Sequence, residues 1–384
     1  MSHAFVPFEL ERLMSIWENQ VEYNLSESGV HPMTIRELVR PDWSSSLDIE
    51  ALLSTELNYP QSNGSIELRE RVAALYPGAT VDNVLITTGC AQANYTALMT
   101  LMQPGDAIAI MLPNYMQIWG VAQNYGYRTR TFALKEELAW GLDLAELEQA
   151  VSGQTKLIAV VNPNNPTGHI MTPHEMDGVV AAAERTGAWL LADEVYAGAE
   201  RLTDDVTPSF WARCDRVLAM GSLSKAYGLP GLRIGWAVAP ADIIERMWAW
   251  QDYITISTTM LGNKLAAYAL SPEVRPHILQ RTRRYIREGY RNLEAWWEGQ
   301  GGLFSVVPPQ AAAIAFVRYH KEINSTELVM RLTQPARQGQ VKAGAFVLPG
   351  DLFGLDHFLR ISFGLPAAYL NAGLDRLSQV LAAA

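Results

Sequence analysis

Lys225 stands in the run Met220-Gly221-Ser222-Leu223-Ser224-Lys225-Ala226-Tyr227-Gly228-Leu229-Pro230-Gly231-Leu232-Arg233-Ile234-Gly235. An apolar stretch, Arg216 to Met220, gives way there to small and polar residues, with Arg233 eight positions beyond the lysine. A lysine amine is ordinarily protonated and inert, but condensed with a carbonyl as a Schiff base it becomes an electrophilic anchor. Ser222, Ser224 and Arg233 offer hydroxyls and a guanidinium suited to a phosphate, and Asp193 upstream offers a carboxylate suited to a ring nitrogen. Those are the groups that pyridoxal phosphate asks of a protein. Taken alone, S-x-S-K reads as a solvated lysine in a turn, so the rest of the chain has to decide.

The elements that must position these residues alternate. Val84 to Thr87 predicts a short strand, and Thr88-Gly89-Cys90-Ala91 then opens an apolar helix through Met102. Ala107 to Leu112 predicts a strand, followed by Pro113-Asn114-Tyr115 and a helix carrying Trp119. Lys156 to Val161 and Trp189 to Ala192 predict two more strands, ending at Asn162-Pro163-Asn164-Asn165-Pro166-Thr167-Gly168 and at Asp193, with a helix over 176–186 between them. Strands apolar on both faces belong to a mostly parallel sheet covered by helices. Gly89, Tyr115, Asn165, Asp193 and Lys225 all fall at or just past the carboxyl end of a strand, the edge where open α/β sheets bind ligands. Further on, Trp236 to Ala239 predicts a strand. A helical region follows from about 263 to 297, interrupted at Ser271-Pro272 and Pro276, and smaller strands and helices alternate after Val306.

Composition narrows the class. At 384 residues the chain can form two domains with a substantial core, and 49% hydrophobic with 18% charged residues is ordinary for a globular protein. A formal charge of −10 argues against nucleic acid or an anionic membrane surface as partner. Arg283, Arg287 and Arg291 follow i,i+4 spacing near Glu294, which predicts a solvated, salt-bridged helix face. Cys90 and Cys214 form no C-x-x-C pair, and the seven histidines show no metal-ligand spacing, so a reducing compartment and no metal are expected. The N-terminus lacks the basic and apolar regions of a signal peptide, and no apolar run reaches the length of a membrane span; the expected location is the cytoplasm.

Six motifs occur in order over nearly the whole chain: Tyr59-Pro60 with Gly64 and Leu68-Arg69, Asn162 to Gly168, Asp193-Glu194-Val195-Tyr196, Ser222-Leu223-Ser224-Lys225, Gly231-Leu232-Arg233-Ile234-Gly235-Trp236, and Phe358-Leu359-Arg360-Ile361-Ser362-Phe363. The ordered set resembles the class I/II, aspartate-aminotransferase-like, fold-type I pyridoxal phosphate enzymes. The resemblance implies an α/β fold with a large cofactor-binding domain at 45–275 and a smaller α/β domain from 276–384 together with an N-terminal arm at 1–44. It implies Lys225 as cofactor anchor and proton carrier, Asp193 as partner of the pyridine nitrogen, and Asn165 and Tyr196 as donors to the ring hydroxyl. Gly89, Cys90, Ala91, Ser222, Ser224 and Arg233 would bind the phosphate, with Cys90 acting through its backbone N–H where a small hydroxyl residue or alanine is frequent. Tyr115 would stack on the ring. Arg360, costly between apolar neighbours unless paired, would grip a substrate α-carboxylate in bidentate fashion, with Asn165 and Gly29 alongside. Tyr59 would reach the phosphate of a neighbouring subunit, with Thr258 or Thr259 in a similar part, implying a homodimer with shared active sites.

The same scaffold serves several reactions, since the bond that breaks depends on which substituent stands perpendicular to the ring. Transamination between an L-α-amino acid and a 2-oxo acid is the first reading. A carbon–sulfur β-lyase or another amino-acid-modifying enzyme is the second, and a catalytically silent binding or regulatory homologue is the non-enzymatic one. No second arginine stands out for a distal carboxylate; Arg36 and Arg40 read as well as a solvated helix face. An apolar, aromatic or cationic substrate side chain is therefore expected over aspartate. Trp17, Trp119 and Tyr115 are candidate aromatic walls, and Glu27 is either a charge partner for such a cation or a solvent-facing residue.

Overall fold

The computed structural model describes residues 4–39, 47–334 and 343–383. Its strands are β1 (Val21–Asn24), β2 (Val84–Thr87), β3 (Ala107–Leu112), β4 (Arg128–Lys135), β5 (Gly141–Leu142), β6 (Thr155–Val161), β7 (Trp189–Asp193), β8 (Val217–Ser222), β9 (Gly235–Val238), β10 (Phe304–Val306), β11 (Ile314–Tyr319), β12 (Ala343–Phe346), β13 (Leu348–Pro349) and β14 (Phe358–Ser362). Eight of them form one sheet in the order β2-β9-β8-β7-β6-β3-β4-β5. Its centre is parallel, but β9 runs antiparallel to both β2 and β8, and β5 antiparallel to β4. A four-stranded antiparallel sheet, β10-β11-β14-β13, and a parallel pair, β1-β12, complete the β-structure.

Period-two side-chain alternation explains why the large sheet is buried twice over. Leu85, Ile108, Ile110, Leu157, Leu191, Leu218 and Met220 pack into one apolar layer. Ile86, Met111, Ile158, Val160, Leu190, Val217 and Trp236 pack into the other. Each fully buried aliphatic side chain of this kind contributes roughly 1.5–3 kcal/mol. The helices covering these layers begin where short polar side chains satisfy free N–H groups. Thr172 accepts from Glu175 N with Pro173 in the first turn, Ser65 accepts from Leu68 N, and Thr34 forms a capping box with Glu37.

Three sequence expectations change. Arg283 does not lie on a solvated face: it is buried and donates to the fully buried Glu200 at 2.7 Å. Arg287 reaches Asp204 and the carbonyls of Arg201 and Thr203, and Glu294 accepts from Tyr290 rather than from an arginine. The i,i+4 spacing is real, but helix Arg275–Glu298 turns that face toward the 200–204 loop. Pro276 opens this helix instead of interrupting it, since proline costs nothing in a first turn whose N–H has no partner. Strands β4 and β5 and helix Leu144–Ala150 went unanticipated. The expected domain boundary at 44/45 lies outside the described residues.

Candidate active site

Strands β2, β3, β6, β7 and β8 all point their carboxyl ends at one edge, and antiparallel β9 brings its amino end there. This puts Arg233, two residues before β9, beside Gly89, which follows β2. A cavity of about 320 Å³ opens at that edge, lined among others by Cys90, Asp193, Tyr196, Lys225, Arg233 and Arg360.

One end of the cavity is a cradle. Gly89 has φ 76°, and helix Cys90–Leu101 starts directly after it. A Cβ on Gly89 would be strained at that φ and would lie 2.4 Å from Arg233 Nη2, and one on Gly235 would lie 2.4 Å from the backbone Cys90 N, which leaves no room for a side chain there. Arg233 donates from Nη1 to Pro230 O at 3.1 Å, and Ser222 Oγ accepts from Ser224 N at 3.2 Å. A helix start, a guanidinium and hydroxyls around an open glycine suit a dianion such as phosphate. Ala91 lies in the first helical turn, and its carbonyl accepts from Gln117 Nε2 at 2.7 Å.

Asp193 closes β7 and is buried. Its Oδ2 accepts from Asn94 Nδ2 at 2.9 Å and from the Cys90 thiol at 3.7 Å, while Oδ1 accepts from Val195 N at 3.2 Å. Burial pushes its carboxyl up; Asn94, Val195, Cys90 and the charge of Lys225 pull the other way. Burial, then the Asp193 charge, pushes the Cys90 thiol well up, which fits a packing role for that side chain and not that of a reactive thiolate. The Lys225 amine faces the same cavity. Burial lowers its pKa, Glu27 opposes that, and Arg360 and Arg233 reinforce it.

Arg360, in β14, is 1% exposed. Nη1 donates to Asn165 Oδ1 at 2.9 Å and Nη2 to Ser26 O at 2.5 Å, while Nε has no hydrogen-bond partner among the described residues. A buried guanidinium with an orphaned N–H and no carboxylate bound to it calls for an anion. Tyr196 is buried and hydrogen-bonded to Ser28; burial pushes its hydroxyl up to about 12, so it remains a donor at neutral pH. Tyr115 lines the cavity, packs edge-on against Phe8 and donates its hydroxyl to Glu11.

The remaining expected residues fall elsewhere. Gly29 packs against the lysine loop, where an added Cβ would meet Ser224 O at 3.1 Å, and its neighbours Glu27 and Ser28 line the cavity in its place. Tyr59 is 81% exposed and lies outside the cavity of its own chain. Thr258 is buried and accepts from Asn263, and Thr259 caps helix Met260–Ala269. Trp17 and Trp119 pack against the two apolar layers and are not among the residues lining the cavity, whose aromatic residues are Tyr115 and Tyr196. Arg40 lies outside the described residues. Sequence reasoning missed Asn94, one helical turn past Cys90, and it missed Glu11 and Glu18, seven residues apart along an amphipathic segment.

Residues 36–377 match the family model described as "Aminotransferase class I and II". The chain belongs to the class I and II aminotransferase family. Capreomycidine synthase of Streptomyces vinaceus is 31% identical over 369 residues, covering 94% of this chain and 90% of that protein. Tyrosine aminotransferase of Mus musculus is 32% identical over 354 residues, covering 86% and 74%. The crystal structure of a PLP-dependent aminotransferase from Streptococcus suis 89-1591 superposes with a TM-score of 0.90 at 29% identity, covering 99% of both chains. This aminotransferase thus has the α/β, fold-type I architecture and pyridoxal phosphate as its cofactor. The cradle at Gly89, the buried Asp193, the Lys225 amine and the orphaned Arg360 Nε fit that cofactor and its amino-acid substrate.

Proposed function

We propose that this aminotransferase moves the amino group of an L-α-amino acid to a 2-oxo acid, with Lys225 as the catalytic amine and Arg360 as the α-carboxylate receptor. The observation that carries this reading is the convergence on one cavity of Lys225, Asp193, Arg233 beside Gly89, and Arg360. Bound pyridoxal phosphate supplies a carbonyl for the amine and an electron sink for the substrate Cα. The protein's own residues do the rest. Arg233, Ser222, Ser224 and the N–H groups of Cys90 and Ala91 hold the phosphate. Asp193, kept in place by Asn94, Cys90 and Val195 N, keeps a proton on the pyridine nitrogen. Tyr196 donates to the ring hydroxyl, as does the Asn165 amide nitrogen, since the Asn165 oxygen is already taken by Arg360. Tyr115 covers the ring. Arg360 fixes the substrate so that its Cα–H lies within reach of the Lys225 amine, whose lowered pKa makes it a better base at neutral pH.

The active unit in this reading is a homodimer with shared sites. Leu53, Leu57 and Tyr59, close together in the chain, and Tyr253 and Ile256 are each more than half exposed, apolar side chains that a second copy would cover. The exposed Tyr59 is available to the phosphate of that second copy. A large domain at 45–275 and a smaller one from 1–44 and 276–384 carry the two halves of the site. Both cysteines are free, which supports a reducing, cytoplasmic location.

The test is a screen of the purified holoenzyme against an amino-acid panel, reading the cofactor absorption band and the keto product. Loss of the band with stoichiometric 2-oxo acid supports transamination. Release of ammonia without a retained amino group assigns the site to lyase chemistry. A different pyridoxal phosphate reaction has specific support in the relative named as a synthase, so product mass is measured as well. For the dimer, a Tyr59→Phe subunit mixed with a Lys225→Ala subunit should restore partial activity. Full activity in a species that sediments as a monomer at every concentration overturns the shared site.

A further inference from the structure

The side of the cavity that faces Lys225 and Arg360 is acidic. Helix Glu9–Trp17 is held by Leu10 and Met14, which are buried and also reach the cavity wall. The same segment presents Glu11 and Glu18 to the cavity, about 10 Å apart along the axis at ~1.5 Å per residue. Glu27 joins them from the loop that follows β1. Glu11 accepts from the Tyr115 hydroxyl and Glu18 from the neighbouring Asn19 amide; among the described residues no lysine or arginine forms a salt bridge with any of the three. They act on one another: Glu18 is raised by burial, then by the charges of Glu27 and Glu11. The two cations of the cavity that feel Glu27 and Glu11 are Lys225 and Arg360. Both are committed in the reading above, the first to the cofactor and the second to an α-carboxylate.

Arg360 gives the independent observation that this acidic wall belongs to a ligand site. Its guanidinium is fully buried, its Nε has no partner, and it lines the same cavity. A substrate held there by its carboxylate, with Cα at Lys225, shares the cavity with the three carboxylates, which its side chain can reach. We infer that this enzyme selects α-amino acids whose side chains end in a positive charge, an ammonium or a guanidinium, with Glu27, Glu11 and Glu18 as the receptors of that charge. The methylene stem lies along Leu10, Met14 and Tyr115, and the spacing of Glu11 from Glu18 suits side chains of several carbons. A substrate with a distal carboxylate meets three like charges and no cation. Charge complementarity of this kind discriminates through both attraction and repulsion.

The inference rests on the aminotransferase reading of the cavity, and the test separates the two. With the holoenzyme, kcat/KM is measured from 2-oxo acid formation for L-arginine against L-citrulline, its neutral isostere, for L-lysine against L-norleucine, and for L-glutamate. Calorimetric binding of the same ligands to cofactor-loaded Lys225→Ala gives Kd without turnover. At least tenfold preference for each cationic member is expected in both measurements, with glutamate the poorest. The arginine-to-citrulline ratio should fall several-fold in Glu27→Gln and approach unity in Glu11→Gln/Glu18→Gln/Glu27→Gln; isosteric changes at a solvated mouth leave the fold intact. Equal use of citrulline and arginine, or a preference that survives the triple substitution, overturns the inference while oxo-acid formation upholds the reaction. Selective binding of arginine with no oxo acid from any amino acid upholds the inference and overturns the reaction.

Discussion

Asp193, Lys225 and Arg360 sit on hydrogen-bonded strands or on loops pinned between them, whereas Glu11, Glu18 and Glu27 project from a nine-residue helix and an irregular loop. On the floor of the cavity, the loop that carries the lysine is pinned by hydrogen bonds: Leu223 N donates to Ile234 O at 3.0 Å, Leu229 N to Leu223 O at 3.0 Å, and Thr282 to Ala226 O at 2.7 Å. At the mouth, Glu11 accepts from the Tyr115 hydroxyl and Glu18 from the Asn19 amide, and neither is met by a lysine or arginine among the described residues. In the proposed reading the floor holds the ring and phosphate of the cofactor and the α-carboxylate common to amino-acid substrates. The mouth is built on elements that can change sequence without disturbing the sheet. In that reading, reaction type and substrate choice are carried by different parts of the chain.

Substitutions on the floor should then damage all substrates alike. Lys225→Ala is expected to lower kcat by about four orders of magnitude or more while leaving far-UV circular dichroism unchanged. A borohydride-reduced sample labelled at a different lysine would break the assignment. Arg360→Lys keeps the charge but loses the planar fork, and about a hundredfold loss in kcat/KM is expected. That loss should be equal for arginine and norleucine; unequal losses would mean that floor and mouth are coupled. Asn94→Ala removes a donor to Asp193 and should cost roughly tenfold in kcat. Because Asn94 lowers the Asp193 pKa, its loss raises that pKa, and the acid limb of the kcat profile should move to higher pH. An unmoved limb would reduce Asn94 to a packing residue.

The smallest effect belongs to Glu194, next to Asp193 and turned to the opposite side of the sheet. Its Oε1 accepts from Ser209 Oγ at 2.9 Å and Phe210 N at 2.8 Å, and burial pushes its carboxyl from 4.5 up to about 8. A folded-state pKa above the unfolded one contributes stability at pH below about 4.5 that is lost as pH rises toward 8. Glu194→Gln keeps the acceptor without the charge, so its Tm should exceed that of the parent by about 2–4 °C at pH 8.5 and match it near pH 4.5. Equal Tm values at both pH values would show that burial does not raise the Glu194 pKa.

Much of the floor was legible in the chain because its chemistry demands residue types that sheet packing does not. An arginine between Leu359 and Ile361, or a lone lysine after an apolar strand, has no packing reason to be there. The strand ends that carry Asp193, Asn165 and Gly89 followed from apolar runs closed by polar turns. Asn94 was hidden because an asparagine within a helix looks like any surface residue until folding brings it to Asp193, 99 residues along the chain. Arg283 misled for the converse reason, since spacing fixes which residues share a helix face but not what that face meets. Of the acidic mouth only Glu27 was legible, because Glu11 and Glu18 lie on an earlier segment that joins it at the cavity only after folding. The reversal of β9 was equally hidden, since four apolar residues read the same in either direction.

That reversal has a consequence for how this protein can vary. Parallel neighbours need a crossover, and a crossover can lengthen on the far side of the sheet without touching the ligand edge. Residues 223–234 join β8 to β9 as antiparallel neighbours, so they start and finish at the ligand edge and carry both Lys225 and Arg233. Inserted residues there have no distant face on which to be accommodated. Growth, circular permutation and grafted extensions therefore have room in the crossovers and at the mouth, and this short link should keep its length wherever the enzyme is redesigned.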